Sequence, residues 1–128
     1  MEENNKIIAE FMGIQPIKAI SDNTGKTYYY YNNSEMEDYE ALPEYYSDWN
    51  WLMVVVEKIE SIKDSYHGRF GVYISSNSCT IQSTNFRPDK PIPNPPHYYN
   101  NVVLNNKIES VYYSIIYFIN FYNKQKEE

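Results

Sequence analysis

Arg69-Phe70-Gly71-Val72-Tyr73-Ile74-Ser75, followed by the turn at Asn77-Ser78 and by Cys79-Thr80-Ile81-Gln82-Ser83, is the stretch that decides the fold. Phe70, Val72 and Ile74 alternate with Gly71, Tyr73 and Ser75, the period of a half-buried strand. Cys79, Ile81 and Ser83 repeat that alternation after the turn, so the two runs read as an antiparallel hairpin with one apolar side. Such a hairpin is stable only when something apolar covers that side. The sequence supplies helices before and after it.

Upstream, Leu52, Val55, Val56, Ile59 and Ile62 recur at helical spacing, with Glu57, Lys58, Glu60 and Lys63 on the outer side. Ser47 or Asp48 caps the start, and Gly68 closes the helix near Tyr66-His67. Downstream, Asn106 with Glu109 three residues on resembles a capping box. A long helix follows, its main stripe formed by Ile108, Val111, Tyr112, Ile115, Phe118, Ile119 and Tyr122. Tyr113, Ile116, Tyr117 and Phe121 widen the stripe until the helix is apolar nearly all round. It is therefore central in the fold or covered by a second copy, which makes a homodimer through this helix an expectation.

Working outward to the N-terminus, residues 4–12 read as a short helix with Ile7, Ile8, Phe11 and Met12 on one side and Gly13 as its stop. Residues 14–20, broken by Pro16, suit an edge segment. Asp22-Asn23-Thr24-Gly25 is a turn, and residues 26–31 suit a strand, with alternate members of Tyr28-Tyr29-Tyr30-Tyr31 facing opposite sides. Residues 32–46 show no period and read as an acidic loop. Residues 87–101, with Pro88, Pro91, Pro93, Pro95 and Pro96, read as a stiff surface loop, because that spacing holds neither a helix nor a central strand. The expected architecture is a single α+β domain, an antiparallel sheet of three or four strands flanked by helices in the manner of an α/β/α sandwich.

Charge is unevenly placed. Of a net −6, residues 1–64 carry five lysines against thirteen acids, and residues 65–128 carry six Lys or Arg against four acids. Glu35, Glu37, Asp38, Glu40, Glu44 and Asp48 follow one another with no Lys or Arg between Lys26 and Lys58, and Tyr39, Tyr45 and Tyr46 stand among them. An acidic half repels phosphate backbones, so an ordinary DNA-binding footprint is not expected. Acids beside tyrosines suit contact with a basic protein surface, each ring giving large area at small entropic cost. Those nine residues, 35, 37–40, 44–46 and 48, are the partner-binding set that the sequence nominates.

Other chemistries find little footing. The 15 tyrosines, the many asparagines and the excess of Lys over Arg share A/T-rich codons, so composition by itself points to no chemistry. His67, His97 and the lone Cys79 lack ligand spacing, so no metal is expected. The four glycines form no phosphate loop, and no nucleophile motif pairs a base with Ser or Cys. No cofactor and no enzymatic activity are expected. One cysteine forms no internal disulfide, which fits a reducing cytoplasm. The first residues lack the basic start and apolar run of a secretion signal, and no apolar run suits a membrane span. Trp49 and Trp51, two residues apart at a helix start, should point to different faces with at least one anchoring the core. Arg87-Pro88-Asp89-Lys90-Pro91 reads as a rigid connector before it reads as a polyproline ligand.

Three blocks carry a family resemblance: Asn5-Lys6-Ile7-Ile8-Ala9-Glu10-Phe11-Met12-Gly13; Tyr46-Ser47-Asp48-Trp49-Asn50-Trp51-Leu52-Met53 with Val55-Val56-Glu57-Lys58-Ile59; and Asn106-Lys107-Ile108-Glu109-Ser110-Val111-Tyr112 with Phe118-Ile119 and Phe121-Tyr122-Asn123. Together they resemble small phage and prophage proteins described as α/β/α sandwiches. Val54 stands where such relatives have proline, and the acidic and proline-rich segments look like insertions. The resemblance implies a mobile-element origin in a bacterial host and assigns no catalytic residue. With the acidic segment, it leads to the expectation of a non-enzymatic protein that binds and blocks a host protein, such as a CRISPR-type defence nuclease whose nucleic-acid channel is basic. The alternatives are a binder that sequesters a nucleotide signal through Arg69, Arg87, Lys90 and Tyr98, and an enzyme whose site is assembled from distant residues and leaves no motif.

Overall fold

The computed structural model describes residues 2–14, 16–21, 23–25, 27–33, 38–41, 45–64, 67–84 and 98–126. Along the chain run α1 (Glu2–Phe11), β1 (Pro16–Ser21), β2 (Thr27–Asn33), β3 (Asp38–Ala41), α2 (Trp49–Ser61), β4 (Lys63–Asp64), β5 (Gly68–Ile74), β6 (Ser78–Thr84), β7 (Tyr99–Val103) and α3 (Lys107–Lys126). The fold is α+β, and its strands pair antiparallel. They divide between two sheets, β1-β2-β3 and β4-β5-β6-β7, where the sequence suggests one.

The hairpin at residues 69–83 is the centre of the larger sheet. Phe70 pairs with Ser83, Val72 with Ile81 and Ile74 with Cys79. Phe70, Cys79, Ile81 and Ser83 are buried, and so is Val102 on β7. These residues make one covered face, against which α2 lies on β5 and α3 lies on β6 and β7. On the opposite face Arg69, Tyr73, Tyr99 and Val103 are exposed. Among the described residues the larger sheet is covered by helices on one side.

Helix α3 sits closely on the sheet because two of its inward positions are serine. Ser110 Oγ donates to the Asn77 carbonyl at 2.7 Å, and Ser114 Oγ donates to Asn100 Oδ1. Between and beyond them, Val111, Tyr112, Ile115, Ile116, Phe118 and Ile119 are buried. Helix α1 covers another flank through Phe11, which meets the rings of Phe118 and Tyr122 edge-on at 6.3 and 6.0 Å. Tyr112 Oη donates to Asn5 Oδ1 at 2.9 Å, so a buried polar pair ties α1 to α3. The chain thus covers its own last helix. Of the extra apolar residues only Tyr117 is exposed, so the apolar flank that suggested a homodimer has its cover within one chain.

Several boundaries differ from the sequence reading. Helix α2 ends at Ser61, not near Gly68: Ile62 is already extended at φ −72°, ψ 133°, and Lys63 pairs with Arg69. Backbone pairing with β5 outcompetes continuation of the helix. Gly68 adopts φ 77°, where a side chain would be strained, and begins β5 instead of capping α2. The acidic segment is not all loop, since residues 38–41 pair with residues 30–33. The proline-rich loop ends earlier than expected: β7 starts at Tyr99, after the last proline, and pairs with β6 as an edge strand. The prolines themselves, with His97, Arg87 and Lys90, lie outside the described residues. Tyr28 to Tyr31 lie within β2. No described helix is long and apolar enough to cross a membrane.

Cys79 is fully buried, and desolvation raises its pKa above the ordinary 9.0, partly offset by a hydrogen bond with Ser114. Burial likewise raises Tyr98 above 10.0, partly offset by Asn100. Both groups hold their protons longer folded than unfolded. The stability tied to them is complete below the unfolded pKa values and is lost as pH rises through the folded ones. Thermal melts from neutral pH to about pH 11 should show a Tm that falls once pH passes about 9, with Cys79→Ser and Tyr98→Phe each removing part of the fall. A flat Tm across that range would contradict the burial of both groups.

Candidate functional site

The nominated acidic segment has only part of its length in the described structure. Glu35, Glu37 and Glu44 lie outside it. Asp38, Tyr39 and Glu40 lie on β3, opposite Asn33, Asn32 and Tyr31 on β2. Tyr45, Tyr46 and Asp48, at the end of the segment, each have a defined place. Tyr45 is 2% exposed and belongs to the core, which corrects its nomination as a surface contact. Tyr46 is half-buried, its ring edge-on to Tyr112 at 6.3 Å. Asp48 is the N-cap of α2: its Oδ1 accepts from the Asn50 N–H at 2.9 Å. A carboxylate there also faces the positive end of the helix dipole. The three residues therefore anchor the end of the acidic segment, and the surface they position comes next in the chain.

That surface is the outer side of the first two turns of α2. Leu52, Val55, Val56 and Ile59 point inward and are buried. Trp49, Trp51 (45% exposed), Met53 and Val54 (46%) remain on the outside. Trp49 and Met53 are one turn apart on one flank, while Trp51 and Val54 are i, i+3 neighbours toward the other. Neither tryptophan is a core anchor, contrary to the sequence reading. Trp51 instead leans edge-on against the buried Tyr45 at 6.5 Å, which holds an exposed indole in one place. The helical period of the inward residues marks the complementary positions as outward, so the apolar types at 49, 51, 53 and 54 were the available signal. Four large apolar side chains on one helix surface are more than scattered exposure requires.

The first cation after the acidic run does not neutralise this surface. Lys58 Nζ lies over the Phe11 ring at 4.6 Å from its centroid and donates to the Phe11 carbonyl. It occupies a cleft of about 250 Å³ between α1, the end of α2 and α3, lined by Glu10, Phe11, Lys58, Ile62, Tyr122 and Asn123. The ion pair between Lys6 and Glu10, at 4.0 Å, is exposed and contributes little.

Of the alternative nucleotide set, Arg87 and Lys90 lie outside the described residues, and the two described members, Arg69 and Tyr98, lie on opposite sides of the sheet. Tyr98 stacks on Phe121 at 4.1 Å on the covered side of the sheet, and Arg69 projects from the open side. His67 is buried between the rings of Phe70 and Phe121, at 5.6 and 5.4 Å. The Cys79 thiol is held protonated, and the thiolate is the nucleophile and the metal ligand. Among the described residues no group of three His, Cys, Asp or Glu is placed to hold a metal. What the described residues do present is the exposed apolar surface of α2. No protein-family model, curated protein or solved structure matches this chain.

Proposed function

We propose that this chain is a non-enzymatic interaction protein that docks onto a basic surface of another protein and blocks it. The observation that carries the reading is the exposed Trp49, Trp51, Met53 and Val54 surface, which comes directly after a run of six acids. Interfaces draw their energy from aromatic anchors that become desolvated, within a polar rim that sets register and encounter rate. Here the indoles are the anchors, and the acids that precede them in the sequence supply the negative charge that such a rim needs. A cationic target follows from the sign of that rim. A cytoplasmic defence nuclease of a bacterial host, with a Lys- and Arg-rich nucleic-acid channel, has the surface this arrangement complements. The resemblance to phage proteins supports the choice of a host target.

The test is affinity capture from a bacterial lysate with the wild-type chain and with Glu35, Glu37 and Glu40 reversed to lysine. The wild type should retain one dominant basic protein, and the reversed chain should lose it. Salt at about 0.5 M should also weaken capture, since charges at the rim are screened over a few ångströms. Equal capture by both chains removes the electrostatic half of the reading.

A further inference from the structure

The open face of the larger sheet carries a second surface, separate from α2 and of opposite electrostatic character. The strand register places Lys63, Arg69 and Thr84 in one row, and Gly71, Gln82 and Tyr99 in the next. A third row holds Tyr73, Thr80 and Asn101. No residue that the register assigns to this face has a carboxylate, in a chain of net charge −6. Tyr73 is 53% exposed and Tyr99 56%.

Gly71 explains how the two rings come to act together. A Cβ at position 71 would stand 2.7 Å from Tyr73 Oη and 2.9–3.0 Å from its ring carbons. The Tyr73 ring therefore lies down along β5, in the space that glycine leaves. This moves it out of its own row and into the row of Tyr99. One strand, β6, separates the rings, so two strand spacings, about 10 Å, lie between their rows with Gln82 in the middle. Thr80 Oγ1 donates to Asn101 Oδ1 at 2.8 Å, leaving the Asn101 amide hydrogens for an outside acceptor. Arg69 and Lys63 are exposed along the next row, and neither is ion-paired with a described residue.

We infer that this face binds single-stranded RNA, with one base stacked on Tyr73, another on Tyr99, and Arg69 and Lys63 on the phosphates. Unstacked bases offer flat π surfaces that aromatic rings on an open antiparallel sheet accept with little sequence preference. The amides of Gln82 and Asn101 take base edges and ribose hydroxyls between and beside the rings. The acidic half of the chain opposes a broad duplex footprint, which needs many cations, but two cations on a face whose described residues carry no carboxylate suffice for a short single strand. This surface stands independently of the docking reading for α2.

The test is fluorescence anisotropy with a labelled oligouridine of about 12 nucleotides, a matched oligothymidine and a hairpin duplex RNA. Saturable binding to the oligouridine is expected, weaker for the other two, with an affinity that falls with salt at a log–log slope near −1.4 for two phosphates. Tyr73→Ala and Tyr99→Ala should each weaken it by roughly 5- to 100-fold, and Arg69→Gln should flatten the salt slope. Gly71→Ala keeps both rings but raises Tyr73 off the sheet, so it should weaken RNA binding while its Tm stays at or above wild type. The inference is overturned if no oligonucleotide binds at protein concentrations up to about 100 µM, or if the tyrosine variants bind as the wild type does. Equal affinity for the DNA strand overturns the assignment to RNA. Light scattering that shows a dimer abolished by Tyr73→Ala overturns it in favour of a second copy on this face.

Discussion

Phe118→Ala should remove about 3–5 kcal/mol of stability, the range seen when a buried aromatic is truncated and its cavity does not collapse. Phe118 is fully buried at the meeting point of the helices and the larger sheet. Phe70 approaches it edge-on at 4.9 Å from the sheet and Tyr98 at 5.7 Å. Phe11 of α1 meets it at 6.3 Å, and Tyr122 stacks on it at 5.8 Å. These rings come from four separate elements or segments, so no single local shift refills the space. For a domain whose total stability is about 5–15 kcal/mol, such a loss lowers Tm by roughly 10–20 °C. Tyr117→Ala, one residue away and exposed, should stay within about 0.5 kcal/mol of wild type. Paired thermal or urea melts check both. Similar melting of the two variants would mean that α3 does not present Phe118 to the core.

Replacing Trp49 and Trp51 by alanine should have the opposite profile, a large loss of partner affinity with little loss of stability. Desolvated tryptophans at the centre of an interface commonly cost about 2 kcal/mol or more each when truncated, roughly 30-fold in Kd. The double variant should therefore weaken binding by two orders of magnitude or more, subject to the non-additivity of neighbouring anchors. Both indoles are exposed and outside the core, although Trp51 gives up its edge contact with Tyr45, worth about 1 kcal/mol at most in folding. Circular dichroism and Tm should match wild type to within a few degrees. Calorimetry with the captured partner reads the affinity.

Periodicity controls the features that are legible in the sequence. The hairpin at residues 69–83 lies as its alternation predicts, and Leu52, Val55, Val56 and Ile59 are buried at the expected helical spacing. Asp48 caps α2 as its residue type predicts, and Gly13, at φ 86°, ends α1. Short strands escape a local reading because their evidence lies in a partner and not in their own pattern. Residues 38–41 are as acidic as a loop, but β2 offers them a ladder, and Lys63–Asp64 forms a strand only because β5 turns back beside it. The division into two sheets is likewise a matter of which edges meet, which no local window records.

The site divides along the same line. Charge and composition nominate Asp48 and the tyrosines at 45 and 46, but they carry no information about direction. The fold turns Tyr45 inward and gives Asp48 to a helix end. The short spacing of the indoles at 49 and 51 suggests a division between core and surface. Helical phase places both outward, because residues 52, 55, 56 and 59 fix the inward side. The flat seat for Tyr73 over Gly71 needs coordinates, since only geometry shows a ring lying along its own strand.

The outer face of α2 is the surface on which the proposed function depends, and one titration tests that proposal directly. Binding of the captured partner to the wild-type chain and to the Trp49→Ala, Trp51→Ala double variant should be measured by calorimetry at low salt and at about 0.3 M salt. Affinity should be lost by about 100-fold or more in the double variant at both salts, with Tm preserved. Equal affinity of the two chains at either salt would show that the partner is held elsewhere, and the assignment of the docking surface to α2 would be wrong.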